Sequence, residues 1–357
     1  MAAFRASPTV IYPNFRRRQS GVSSTVFSLA PALSERGVSL HVLGAGLPKG
    51  LKSISLLTAL DILFTGTGPR PIWHARRNIE MLAGLVLRAL GGRHHLVFTS
   101  AAQRHHTAYT RRLMQGMDAI VATSRRSASF LSLPATIIGH GVDTTRFAPA
   151  DQRPLRESLG LDPEALYIGC FGALRASKGT DLFVEALLSL LPARPRWQAL
   201  IVGHAEPRDR AFVDALKARL DDAGLSERVT FTGHVPDAAP YLRAVDLCVA
   251  ASRTEGFGLT PLEAMASGIP VVASGAGSFP DLIRPGVTGS LFETGNSAAL
   301  AAALAPLLDD DARRRAMGAA GVAHVRASHS IALEAEALRA LYCQLGTVAQ
   351  SVFPARA

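Results

Sequence analysis

A chain of 357 residues is too long for one ordinary hydrophobic core and suits two domains of comparable size. With 48% hydrophobic and 18% charged residues it is globular rather than disordered, and no apolar run approaches the ~18 residues of a membrane-spanning helix. The formal charge of +10 is unevenly placed: residues 1–150 hold 18 Lys/Arg against five Asp/Glu, a net of +13, while residues 151–357 hold 20 against 23, a net of −3.

Such asymmetry suggests an anionic partner for the first half: a phosphorylated acceptor, an anionic leaflet or nucleic acid. The N-terminus shows no basic stretch followed by an apolar core, so no signal peptide is expected and the chain is expected in the cytoplasm. Cys170, Cys248 and Cys343 lie far apart and read as reduced thiols.

Short apolar runs alternate with helical stretches. In the first half the predicted strands are 9–12, 38–43, 71–74, 96–99, 119–123 and 135–138, with helices over 22–36 and 77–90. In the second half strands are predicted at 167–171, 198–202, 229–232, 247–250, 271–273 and 289–292. The helices there are 181–191, 210–223, 261–267, 298–308 and 311–325. This alternation implies parallel sheets covered on both faces, hence an α/β protein with two doubly wound domains facing a cleft. The predicted domains are 1–150 and 151–330, with 331–357 packing back on the first. Ligands in such sheets sit beyond the carboxyl ends of the strands.

The most informative segment is Glu255-Gly256-Phe257-Gly258-Leu259-Thr260-Pro261-Leu262-Glu263. It follows the 247–250 strand and opens a helix. Its glycines permit a close ligand approach, and the N–H groups around Phe257 and Gly258 lie where a phosphate would be drawn. Thr260 as N-cap, Pro261 at the first helical position and Glu263 beyond it spell a capping box. Glu263 therefore has two readings, cap or ribose binder. Glu255 lies outside the helix, where a structural role explains it less well.

The second segment, Phe171-Gly172-Ala173-Leu174-Arg175-Ala176-Ser177-Lys178-Gly179, follows the first strand of the second half. Arg175 and Lys178 are placed to meet a diphosphate there, as a planar fork and a point charge. Asp309-Asp310-Asp311 precedes a helix and reads as dipole complement. The His94-His95 and His105-His106 pairs lack zinc-ligand spacing, so no metal is expected. No Walker-type loop is present.

Together these segments resemble the nucleotide-sugar site of glycosyltransferase family 4, which has the two-domain GT-B fold of Rossmann-like units. Glu255 and Glu263 match its pattern of two glutamates separated by seven residues, and Arg175/Lys178 match its diphosphate clamp. Gly233-His234-Val235 resembles its turn near the base, and His140-Gly141-Val142-Asp143 its linker, with His140 replacing an asparagine. The resemblance implies donor contacts from Gly21, His234, Val235, Phe257, Gly258, Leu259 and Glu263. It implies that Glu255 orients the sugar and that Arg175 and Lys178 neutralise the leaving diphosphate without a metal cofactor.

In the first half, segments 13–25, 73–84 and 98–107 are similar to lipopolysaccharide inner-core mannosyltransferases of alphaproteobacteria. That similarity implies GDP-mannose as donor, a Kdo-bearing lipid A precursor as anionic glycolipid acceptor, and peripheral contact with the cytoplasmic face of the inner membrane. Arg16, Arg17, Arg18, Arg76, Arg77 and Arg104 are then expected to face acceptor or leaflet. The place of the family's catalytic histidine holds Ser100; His105 is the nearest candidate, and His74 ends a neighbouring strand. Two alternatives stand beside this reading. One is a family 4 enzyme using a UDP-sugar. The other is a basic nucleic-acid-binding protein, which leaves the Glu255–Glu263 segment unexplained.

Overall fold

The computed structural model of the chain describes residues 7–15, 21–44, 53–66 and 68–351. Two compact units form: Met1–Gly141 with Ile331–Ala357, and Val142–Ser330. The division falls between Gly141 and Val142 rather than near residue 150. Val142 and Phe147 are buried in the core of the second unit, and Val142 N–H donates to His329 O at 2.9 Å.

The first unit is built on strands β1 (Thr9–Asn14), β2 (Ser39–Gly44), β3 (Ser53–Ile54), β4 (Ile72–Ala75), β5 (His95–Ser100), β6 (Ala119–Ala122) and β7 (Thr136–Ile137). They pair in parallel in the order β3-β2-β1-β4-β5-β6-β7. One face packs on Leu29 and Leu33 of helix Gly21–Glu35 and on Leu338 and Tyr342 of the C-terminal helix Ile331–Ser351. The other packs on Leu63, Met81 and Leu113, from helices Leu56–Phe64, Asn78–Ala89 and Ala108–Met114. Burial on both faces is why the central strands β1, β4, β5 and β6 are buried nearly throughout and largely apolar.

Within that first core lies a closed polar chain. Tyr342 Oη is 2.8 Å from Tyr12 Oη and 2.7 Å from His74 Nδ1, and His74 Nε2 is 2.6 Å from Thr99 Oγ1. His74 is fully buried and stacked on Tyr12. Desolvation, reinforced by Arg76, holds its pKa well below the ordinary histidine value. With both ring nitrogens satisfied, His74 fastens the C-terminal helix to the sheet. A second fastening lies at the end of the unit, where buried Glu334 accepts from His140 Nδ1 (2.9 Å) and from Gly141 N–H (2.8 Å). His140 thus has a specific partner in the place of the family's asparagine.

The second unit holds β8 (Leu166–Phe171), β9 (Trp197–Val202), β10 (Val229–Gly233), β11 (Leu247–Ala250), β12 (Val271–Ser274) and β13 (Gly289–Phe292). They run parallel in the order β10-β9-β8-β11-β12-β13. Helices Thr180–Leu190 and Ser297–Leu308 cover one face; Ala239–Ala244 and Thr260–Ala266 cover the other. Strand order reverses between β8 and β11, so the loops after these two strands flank the crevice where such sheets bind ligands. Cys170 and Cys248 lie buried in those strands, and burial pushes the Cys170 thiol up to about 12.

Candidate functional site

The loop after β8 is held down at both ends. Gly172 N–H donates to Val202 O (2.9 Å) and Leu174 N–H to His204 O (3.0 Å). The loop then makes a 3₁₀ turn over Ala176–Lys178 and enters helix Thr180–Leu190 through Gly179 at φ +71°. A side chain at Gly179 would overlap Ala251 O at the end of β11, so only glycine lets the two loops touch.

The loop after β11 completes the contact. Arg253 N–H donates to Ser177 O at 2.9 Å. Its guanidinium donates twice to the Asp181 carboxylate, each at 2.7 Å, and once to Ala176 O at 2.5 Å. This bidentate pair fixes the Arg175–Lys178 loop against the Ser252–Glu255 loop. Lys178 Nζ consequently donates to Glu255 Oε2 at 2.5 Å. Ser252 Oγ donates to the same oxygen (3.2 Å), and Gly256 N–H to Oε1 (3.1 Å).

Lys178 and Glu255 both line a small cavity of ≈ 80 Å³ with Gly258 and Thr260. Arg175 is half-buried in extended backbone, and its Nε is buried with no hydrogen-bond partner among the described residues. Neither Arg253 nor Asp181 carried a signal in the sequence, because 72 residues separate them. Their pairing yields a test. Arg253→Ala should lower kcat/KM by roughly tenfold, a loss of ~1.4 kcal/mol in transition-state stabilisation. The exchange Arg253→Asp/Asp181→Arg should recover part of it. Equal losses in single variants and exchange, measured by initial rates, would refute the clamp.

The sequence-predicted residues of the Glu255–Glu263 segment fall as follows. Phe257 is buried in the core. Gly258 adopts φ +80° beside Phe279 and Glu255. The predicted capping box is absent: Leu259 already has helical angles (φ −75°, ψ −29°), the helix is Thr260–Ala266, and no side chain caps it. Thr260 lies inside the helix, where its hydroxyl cannot act as N-cap. Glu263 therefore keeps a side chain with no hydrogen-bond partner among the described residues.

Desolvation raises the Glu263 carboxyl to about 7; Arg146 opposes the shift, and Asp237, itself bonded to Arg146 at 2.7 Å, adds to it. A carboxyl raised above its unfolded value makes the native state lose stability as pH rises from about 4.5 to about 7. Glu263→Gln removes that loss. Its melting temperature relative to the unsubstituted protein should rise across this window and level off above it; a pH-independent difference would contradict the shift. His234 is exposed, its ring edge-on to His204 at 5.4 Å, and Val235 packs on the core.

In the first unit, Gly21 is the first residue of helix Gly21–Glu35. Arg16, Arg17 and Arg18 lie outside the described residues. Arg76 and Arg77 follow β4 and are engaged inside their own unit. Arg76 Nη1 donates to Thr25 Oγ1 (2.6 Å) and Arg77 Nη1 to Glu80 Oε1 (2.8 Å). Glu80, fully buried, also accepts the Arg76 N–H at 2.7 Å. Arg104 and His105 are exposed, and the His105 ring meets Phe130 edge-on. The neighbouring His106, rather than His105, reaches the end of β5, with Nε2 3.0 Å from Ser100 Oγ. Burial and Arg104 lower its pKa.

Two Rossmann-like units, with a lysine–glutamate pair at the strand-order reversal of the second, define a GT-B glycosyltransferase. Residues 165–310 match the family model "Glycosyl transferases group 1". The chain is 44% identical over 338 residues to the lipopolysaccharide core biosynthesis mannosyltransferase LpsB of Rhizobium meliloti, covering 93% of this chain and 96% of that protein. It is 46% identical to LpcC of Rhizobium leguminosarum, a protein of the same description, over 94% and 96% of the two chains. The chain belongs to this glycosyltransferase family. The crystal structure of Anabaena HepE with UDP and glucose superposes with a TM-score of 0.79 over 94% of this chain and 100% of that one, at 19% identity, a likeness of fold.

Proposed function

We propose that this enzyme transfers mannose from GDP-mannose to a Kdo-containing lipid A precursor in lipopolysaccharide core assembly, with retention of configuration and without a metal ion. The observation that carries the reading is the Lys178–Glu255 pair at the reversal point of the second sheet. An ammonium has three N–H donors and Lys178 spends one on Glu255, which leaves two for a diphosphate. Arg175, three residues before Lys178 on the same loop, would supply a second cation. As the sugar–phosphate bond breaks, charge grows on the leaving GDP, and these cations stabilise that state more than the bound donor. Glu255 holds Lys178 in place and offers a carboxylate to the sugar, where positive charge develops. Glu263 takes the ribose hydroxyls.

The choice of mannose and of a lipopolysaccharide acceptor is supported by the names of the rhizobial relatives and by the near-complete span of the match. The basic first half suits an acceptor rich in phosphate and carboxylate.

The test is a donor panel read by product mass, with the Kdo-bearing lipid A precursor as acceptor. GDP-mannose should be used and UDP-glucose, UDP-galactose and UDP-N-acetylglucosamine should not. Turnover of a UDP-sugar alone overturns the donor assignment. Transfer only to acceptors lacking Kdo overturns the acceptor.

A further inference from the structure

Glu255 follows β11, which is flanked in the second sheet by β8 and β12. The loop after β8 meets the Ser252–Gly256 segment through Lys178, Arg253 and Asp181. The loop after β12, residues 274–279, meets the same segment and has no part in holding the diphosphate. Ser274 Oγ donates to Ser252 O at 2.6 Å, and Ser278 Oγ donates to Gly256 O at 3.3 Å. Between them, Gly277 lies so close that a Cβ there would stand 2.7 Å from Glu255 O. The two hydroxyls thus hold carbonyls three residues before Glu255 and one residue after it. Ser252, held in this way, turns its own hydroxyl onto Glu255 Oε2 at 3.2 Å.

Ser252, Ser274 and Ser278 are 5%, 0% and 0% exposed. A buried hydroxyl is tolerated only where it is hydrogen-bonded, so these three side chains fix the geometry around them. The supporting loop is itself anchored away from Glu255. Gly275 N–H donates to Phe292 O at 3.0 Å on β13, and Phe279 is buried in the core. Ser252 and Glu255 line the cavity of ≈ 80 Å³, whereas Ser274 and Ser278 lie behind its lining. A carboxylate that meets charge developing on a sugar has to be held within about 0.5 Å of its productive place.

We propose that Ser274 and Ser278 are positioning residues for Glu255. They fix the backbone on either side of it, and through Ser252 its carboxylate, in the place where the transferred sugar is met. They touch neither donor nor acceptor and act only through Glu255. The idea rests on the reading of Glu255 as the carboxylate offered to the sugar.

The experiment is a double-mutant cycle on the full chain, using the donor that the unsubstituted enzyme turns over in the panel. The readouts are kcat at saturating substrates, affinity for the nucleoside diphosphate product, and melting temperature. Ser274→Ala/Ser278→Ala should lower kcat roughly ten- to a hundredfold, since a misplacement of about 1 Å costs on that order. Diphosphate affinity should change by less than about threefold, because Arg253 and Asp181 fix the Lys178 loop independently. In a Glu255→Gln background the same two substitutions should lower kcat by no more than about twofold, because the carboxylate they position is already gone. Losses that multiply in full overturn the proposal. So does an equal fall of kcat and diphosphate affinity, which would make the serines a general support of the crevice. Should the double alanine variant be unfolded at the assay temperature, Ser278→Ala alone, which breaks only the longer bond, carries the same comparison. Inactive Glu255→Gln beside serine variants of unchanged kcat removes the proposal and leaves the role of Glu255 standing. Full activity of Glu255→Gln removes both.

Discussion

Lys178→Ala is expected to slow transfer by about 10²–10³-fold while the protein stays folded, as when one preorganised donor to a developing anion is removed. The two consequences of losing this side chain differ in size. The Lys178–Glu255 pair is only partly buried, with side chains 25% and 17% exposed, so its contribution to stability is at most about 1 kcal/mol. Stabilisation of a leaving diphosphate by a fixed cation is worth about 3–4 kcal/mol. The activity loss should therefore far exceed any shift in melting temperature. Arg175→Ala should behave likewise, and GDP affinity should fall in both. Rates within twofold of the unsubstituted enzyme in both variants would remove the diphosphate role. A large drop in melting temperature would instead make the pair a structural tie.

The second sheet was readable strand by strand because a parallel strand covered on both faces must be apolar throughout. β8, β9, β11 and β12 stand out as such runs between turn residues, while the edge strands β10 and β13 mix Thr, Ser and Gly with apolar residues. In the first sheet the two-residue strand β3 and the helix Leu56–Phe64 escaped. The helix sequence Leu-Leu-Thr-Ala-Leu-Asp-Ile-Leu-Phe is apolar on nearly every side, so the stripe of Ala59 and Leu63 that it buries does not stand out from the residues around it.

At the site, the loops were legible from their glycines and charges, but the contacts between them were not. Asp181 reads as an ordinary first-turn helix acid until Arg253 is seen folded onto it. The Thr260/Glu263 spacing satisfied the capping-box pattern, yet the backbone turns helical one residue early, which a pattern of residue types cannot register. For Arg76 and Arg77 a signal was present: Glu80 lies three residues beyond Arg77, a helical ion-pair spacing. His105 and His106 are adjacent, and sequence proximity to Ser100 could not say which of them turns toward it.

Gly258→Ala is the second substitution with a large expected effect, because three constraints meet there. Its φ of +80° costs an L-residue about 1–2 kcal/mol. An added Cβ would overlap the ring of Phe279, which is buried and cannot move aside. It would also come within 2.9 Å of Glu255 Cγ. Backbone strain and overpacking together should cost roughly 2–5 kcal/mol of stability. Activity should fall further than partial unfolding explains, since the displaced group is the carboxylate that orients Lys178. Phe279→Leu separates these causes. It deletes the ring atoms the new Cβ would strike and leaves both φ and the Glu255 contact unchanged. Although Phe279→Leu is destabilising alone, Gly258→Ala/Phe279→Leu should melt at a higher temperature than Gly258→Ala, a coupling of about 0.5–3 kcal/mol. Turnover should nevertheless remain low in the double variant. Recovery of activity together with stability would mean that Gly258 serves only core packing, and that the position of the Glu255 carboxylate does not limit the reaction.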